Sequence, residues 1–150
     1  MENYDRALAS RVWQRVYPQN APQEPDDHAQ LRRFLMEEAQ TAACCARLAK
    51  TLTGSARTLG ALAEASRRNV LHLKGLCFLL TGSQPAAPKL PVREEKPEAA
   101  LRRCFGDCLR WEKLCREQQS DPEYGCIWEE LAKKKREQSL QILQILGSLP

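Results

Sequence analysis

Glycine is scarce in this chain, 7 residues in 150, and β-branched residues are few. Ala, Leu, Glu, Lys, Arg and Gln dominate instead, a composition that favours helix. No apolar run approaches the length needed to span a bilayer, so no membrane partner is expected. The opening MENYDRALASRVWQRVY carries charges every few residues and has no apolar h-region, so it does not read as a secretory signal peptide, and the expected location is cytoplasmic. An excess of one charge sign is also missing. With 23 basic and 19 acidic residues the net charge of +4 demands no anionic partner. Seven cysteines are present, yet no two form a Cys-x-x-Cys pair. In a reducing cytosol Cys44, Cys45, Cys77, Cys104, Cys108, Cys115 and Cys126 read as small buried hydrophobes. The spacing of Cys104 and Cys108 would let two thiolates reach one metal, but no His or Cys partners at matching spacing accompany them.

What the chain does contain is a helical seam. In LGALAEASRRNVLHLKGLCFLL, residues 59–80, steps of three and four pick out Leu59, Leu62, Ser66, Asn69, Leu73, Leu76 and Leu80. Ser66 and Asn69 are polar breaks in the middle of an otherwise apolar stripe. A shift of 69 positions carries this seam onto Trp128, Leu131, Lys135, Gln138, Ile142, Ile145 and Leu149, and the polar breaks fall at the same two places. Matching breaks in two helices imply a bundle with a polar centre.

The remaining elements follow in order. Residues 3–16 read as a short amphipathic helix with Leu8, Val12, Trp13 and Val16 on one side, followed by a link broken by Pro18, Pro22 and Pro25. Asp26 and Asp27 are N-cap candidates for a long helix over residues 28–52. Its seam is Leu31, Leu35, Glu38, Ala42, Cys45, Ala49 and Leu52, with Glu38, or alternatively Glu37, as the inward polar residue. Thr53, Gly54 and Ser55 close a tight antiparallel hairpin onto the 59–80 helix, which ends at Gly82.

Residues 83–97 contain Pro85, Pro88, Pro91 and Pro97 and read as an extended linker. A 25-residue helix is about 38 Å long, and fifteen extended residues cover about 50 Å. The linker can therefore run the length of the bundle, leaving the helices on either side of it parallel. The third helix, residues 98–119, has two competing seams. One runs through Ala100, Cys104, Asp107, Trp111, Leu114 and Gln118; the other through Leu101, Cys104, Cys108, Trp111 and Cys115. The first places Asp107 opposite Glu38. Ser120, Asp121, Pro122 and Glu123 signal the start of a last helix that runs to Leu146. The expected organisation is thus an N-terminal helix and linker (1–27) and an all-α four-helix bundle (28–150). The bundle comprises a first hairpin at 28–82, the crossover at 83–97 and a second hairpin at 98–150.

Helix lengths, the crossover and the seam positions resemble the rubrerythrin branch of the ferritin-like superfamily, as does the segment Cys77-Phe78-Leu79-Leu80-Thr81-Gly82. In that family each half supplies a Glu from its first helix and Glu-x-x-His from its second, and six ligands hold two irons. The resemblance places those six positions at Glu38, Ser66, Asn69, Asp107, Lys135 and Gln138. Only Glu38 and Asp107 keep ligand chemistry; Ser66 and Lys135 replace Glu, while Asn69 and Gln138 replace His.

The reading this implies is a degenerate rubrerythrin-like protein without a working di-iron centre, with no catalytic residues or cofactor, and with a structural or interaction role as a homodimer or with a protein partner. Lys135 is expected inside, between Glu38 and Asp107, as a protein cation in place of metal. A second reading keeps iron in an oxidoreductase site built from Glu37 or Glu38, Asp107, His72, Glu112 or a nearby Cys. A third is a helical adaptor unrelated to ferritins. His72 falls beside the seam rather than on it, and His28 at a helix start. The run Lys133-Lys134-Lys135-Arg136 spreads around a helix instead of forming one basic stripe, so nucleic acid is not an expected partner.

Overall fold

The computed structural model describes residues 27–85, 91 and 93–150. The helix expected at 3–16, the cap at Asp26 and the link before it lie outside the described residues, as does part of the 83–97 linker. Four long helices are present among the described residues: α1 (Asp27–Thr51), α2 (Ala56–Thr81), α3 (Pro97–Gln118) and α4 (Gly125–Ser148). A single 3-10 turn, Thr53–Ser55, joins α1 to α2. No strand occurs among the described residues.

Local chemistry explains the helix ends. Gly82 closes α2 in the left-handed region at φ 79°, where its N–H reaches the Phe78 carbonyl at 2.8 Å. Pro97 opens α3 at a position where a missing N–H costs nothing. α4 starts later than the expected Pro122. The Asp121 carboxylate accepts the N–H groups of Glu123 and Tyr124 at 2.8 and 3.1 Å, making residues 121–124 a capped turn ahead of the helix proper.

α1 packs along α2, and α3 along α4, as two hairpins, with lighter contacts between α1 and α3 and between α2 and α4. Two apolar clusters show how the hairpins are oriented. One gathers Cys44, Cys45 and Leu48, Leu59 and Leu62, Ala100 to Cys108, and Ile142 and Ile145. The other gathers Leu31, Phe34 and Leu35, Leu73 and Leu76, Trp111 and Cys115, and Leu131 and Ala132. The first cluster therefore joins the end of α1, the start of α2, the start of α3 and the end of α4. The second joins the four opposite ends. α2 and α3 run parallel, each antiparallel to α1 and α4, and the segment joining them connects opposite ends of the bundle.

On α2 the six seam residues from Leu59 to Leu76 are all buried, and on α4 so are Leu131, Lys135, Gln138, Ile142 and Ile145. α3 follows the second of its two possible seams. Leu101, Cys104, Cys108, Trp111 and Cys115 face the core, and Asp107 is only half-buried on its flank. The expectation that Asp107 faces Glu38 is thus corrected. A second buried carboxylate beside Glu38 would lack a cation of its own, whereas on the flank Asp107 lies 3.4 Å from Arg110 and 3.7 Å from Arg103.

Candidate functional site

Between the two apolar clusters lies a polar layer supplied by α1, α2 and α4. Glu38 and Lys135 are each 1% exposed, and Ser66, Asn69 and Gln138 are buried with them. Helical spacing puts them there, because each stands on its seam midway along its helix. Lys135 Nζ donates to Glu38 Oε2 at 2.5 Å, and Asn69 Nδ2 donates to Glu38 Oε1 at 3.2 Å. Both carboxylate oxygens are therefore satisfied, one by an ammonium and one by an amide. Gln138 Nε2 donates to Ser66 Oγ at 3.1 Å, which ties α4 to α2 beside the ion pair. Gln138 Oε1 is buried and has no hydrogen-bond partner.

Two opposed effects act on the Lys135 ammonium. Burial works to lower its pKa, but the charge of Glu38 and the hydrogen bond to its carboxylate outweigh that, and the net shift is upward. The cation is held in its charged form. Cys108 itself is pushed up to about 11, chiefly by burial, so the thiol is neutral at physiological pH.

Five of the six expected positions, Glu38, Ser66, Asn69, Lys135 and Gln138, are thus brought together, and Cys108 stands where the sequence reading placed Asp107. Of the alternative set, Glu37 turns outward. Its carboxylate pairs with Arg110, lies 3.2 Å from Arg33 Nε, and accepts from Trp111 Nε1 at 2.5 Å. His72 is exposed on α2. Glu112 is buried, but it is committed to Arg116 at 2.9 Å and Arg136 at 3.8 Å. Lys133 and Lys134 pair with Glu129 at 3.6 Å and Glu130 at 3.9 Å, so the basic run is already balanced along its own helix.

The residues do not fit a di-iron centre. Such a centre needs several carboxylates to neutralise its cations and imidazoles to complete the coordination. Here the layer holds one carboxylate, an ammonium is hydrogen-bonded to it, and Asn69 and Gln138 supply amides and no imidazole. Among the described residues no three His, Cys, Asp or Glu side chains are placed to hold a metal ion. No helix among them is long and apolar enough to cross a membrane. No family model matches the chain, and neither a curated protein nor a solved structure matches it.

Sequence reasoning missed Cys108 as the sixth group in this layer, although the competing seam through Leu101 and Cys115 contained it. It also missed a contact on the bundle's flank, where Arg103 Nη2 donates to Cys44 Sγ at 3.8 Å. Its only signal in the sequence was the position of Cys44 next to the seam residue Cys45.

Proposed function

We propose that this chain is a ferritin-like bundle of the rubrerythrin type in which an internal ion pair has taken the place of the metals, and that it serves as a non-catalytic structural or interaction module. The observation that carries this reading is the bond between Lys135 and Glu38 at the level of the polar breaks. An ammonium supplies positive charge between buried acceptors, as a metal would, but brings no redox chemistry and no open coordination site. The helix directions support the fold assignment, because parallel α2 and α3 require the long crossover that this architecture uses. Exposed apolar side chains support a protein partner or a second copy: Leu71 and Phe78 share the outer face of α2, and Leu140 and Leu143 project from α4.

The test is metal content and assembly state. Protein purified from iron-supplemented cells is expected to carry well under one iron per chain, and to give no oxo-bridged absorption after aerobic loading. Two irons per chain, lost on Glu38→Ala, would overturn the reading. Sedimentation of the purified chain is expected to reveal a dimer or a co-purifying protein. A strictly monomeric, partnerless chain would remove the interaction role.

A further inference from the structure

The flank where α1 meets α3 carries chemistry that the polar layer does not use. Cys44 and Cys104 lie in the same core cluster, close enough for each thiol to act on the other. They belong to different hairpins. Above them sits Arg103, whose guanidinium donates to Cys44 Sγ at 3.8 Å. That arginine is itself fixed: Glu95 accepts from its Nε at 2.9 and 3.2 Å, and Asp107 lies 3.7 Å away. Arg47, one turn further along α1, is a second cation acting on Cys44. The arrangement is two adjacent thiols, one of them held by a positioned guanidinium.

We propose that Cys44 and Cys104 are a thiol–disulfide couple, in which Cys44 is the peroxide-reactive thiolate and Cys104 the resolving thiol, so that oxidation joins the two hairpins covalently. The other sulfurs give the contrast. The hydrogen bond from Cys104, and then Arg103 and Arg47, outweigh burial and draw the Cys44 pKa below that of an ordinary thiol. By the same bond Cys104 keeps its proton, and its pKa is raised. Burial pushes Cys45 and Cys115 up to about 12. Among the buried sulfurs Cys44 is the one whose surroundings, the Arg103 guanidinium above all, favour the nucleophilic form.

The oxidant class is a small hydroperoxide. Cys44 is 2% exposed, and hydrogen peroxide is close to water in size. The Cys44 sulfur attacks one peroxide oxygen; an S–O bond forms, the O–O bond breaks, and hydroxide leaves and takes a proton to become water. Cys44 is then a sulfenic acid. The Cys104 sulfur displaces its hydroxyl; an S–S bond forms, the S–O bond breaks, and the hydroxyl departs with the Cys104 proton as a second water. Two thiols lose two electrons and two protons, and one peroxide becomes two waters.

The experiment treats the native full chain with stoichiometric hydrogen peroxide at neutral pH, blocks remaining thiols after denaturation, and maps the product by mass spectrometry. The expected product is lighter by two hydrogens and links Cys44 to Cys104. In Cys104→Ser the intermediate should accumulate and be trapped by dimedone on Cys44, and Arg103→Met should slow the reaction several-fold. A bridge between Cys44 and the adjacent Cys45, or oxidation of Cys44 no faster than that of Cys45 and Cys108, would overturn the proposal. So would an unchanged rate in Arg103→Met. The comparison among cysteines is made within the wild-type protein, so it stands even where a variant fails to fold.

Discussion

The ammonium of Lys135 lies over the ring of Phe34, 5.9 Å from its centroid, and Phe34 stacks on Trp111 at 4.4 Å with the rings 13° apart. The charged end of Lys135 is thus enclosed by a carboxylate, a thiol and an aromatic face, with no route along its stem to water. Lys135→Met leaves Glu38 buried without its cation and is expected to destabilise the fold by about 3–5 kcal/mol at pH 7. Chemical denaturation at pH 7 checks this. The Lys135 pKa is raised in the folded state, so its contribution is full below the ordinary lysine value, about 10.4, and is lost as pH climbs through the folded value. Wild type should show that alkaline decline, and Lys135→Met should not.

Asp107 offers a test of the α3 register. Burial, and after it the charge of Glu37, raises its pKa, against the pull of Arg110 and Arg103. A carboxyl raised on folding stabilises below its ordinary pKa and loses that contribution as pH rises through the folded value, leaving the ionised form penalised at neutrality. Asp107→Asn is therefore expected to match or exceed wild type at pH 7, by no more than about 1 kcal/mol. The difference should vanish below the ordinary carboxyl range. A marked loss of stability at pH 7 would return Asp107 to the core.

Gly125 begins α4 against the preceding loop. A Cβ there would stand 2.3 Å from the Gln119 carbonyl oxygen and 3.1 Å from its carbon, and both are backbone atoms that cannot rotate away. Gly125→Ala is expected to cost about 1–3 kcal/mol by forcing the turn from the helix. Thermal unfolding of the variant measures this, and a wild-type midpoint would show that the turn yields freely.

The thiols should separate by environment under a bulky alkylating reagent. Cys126 is exposed, and six others are buried. Cys126 is expected to react first. Cys45, Cys77, Cys108 and Cys115, whose pKa values burial has raised, should wait for denaturant. Labelling rates at each cysteine, read by peptide mass, check the order.

The α2 and α4 seams were legible because a buried stripe on a helix leaves a period in the sequence, and Ser66, Asn69, Lys135 and Gln138 interrupted that period at matching places. Glu38 was legible for the same reason, though the choice against Glu37 was not. Period alone cannot separate adjacent residues that both fit a face 100° wide. The register of α3 failed on that ambiguity. Cys104 and Trp111 belong to both candidate seams, and the choice between Asp107 and Cys108 was settled by ions on other helices, Glu37 of α1 paired with Arg110 and Glu38 of α1 paired with Lys135 of α4. The contact of Arg103 with Cys44 had no periodic signature, since it joins two hairpin flanks distant in the chain.

The polar layer also bears on how the two halves find each other. Each hairpin is built from near neighbours in the chain, whereas Glu38 and Lys135 are separated by 97 positions. Apolar stripes of leucine are poor rulers, because one helix can slide along another by a turn, about 5.4 Å, and still bury leucine on leucine. An ammonium has a single carboxylate to meet. Slid by a turn, it would face hydrocarbon, at a desolvation penalty of several kcal/mol. The ion pair thereby acts as an alignment mark, selecting one docked geometry from several that would bury the same amount of oil.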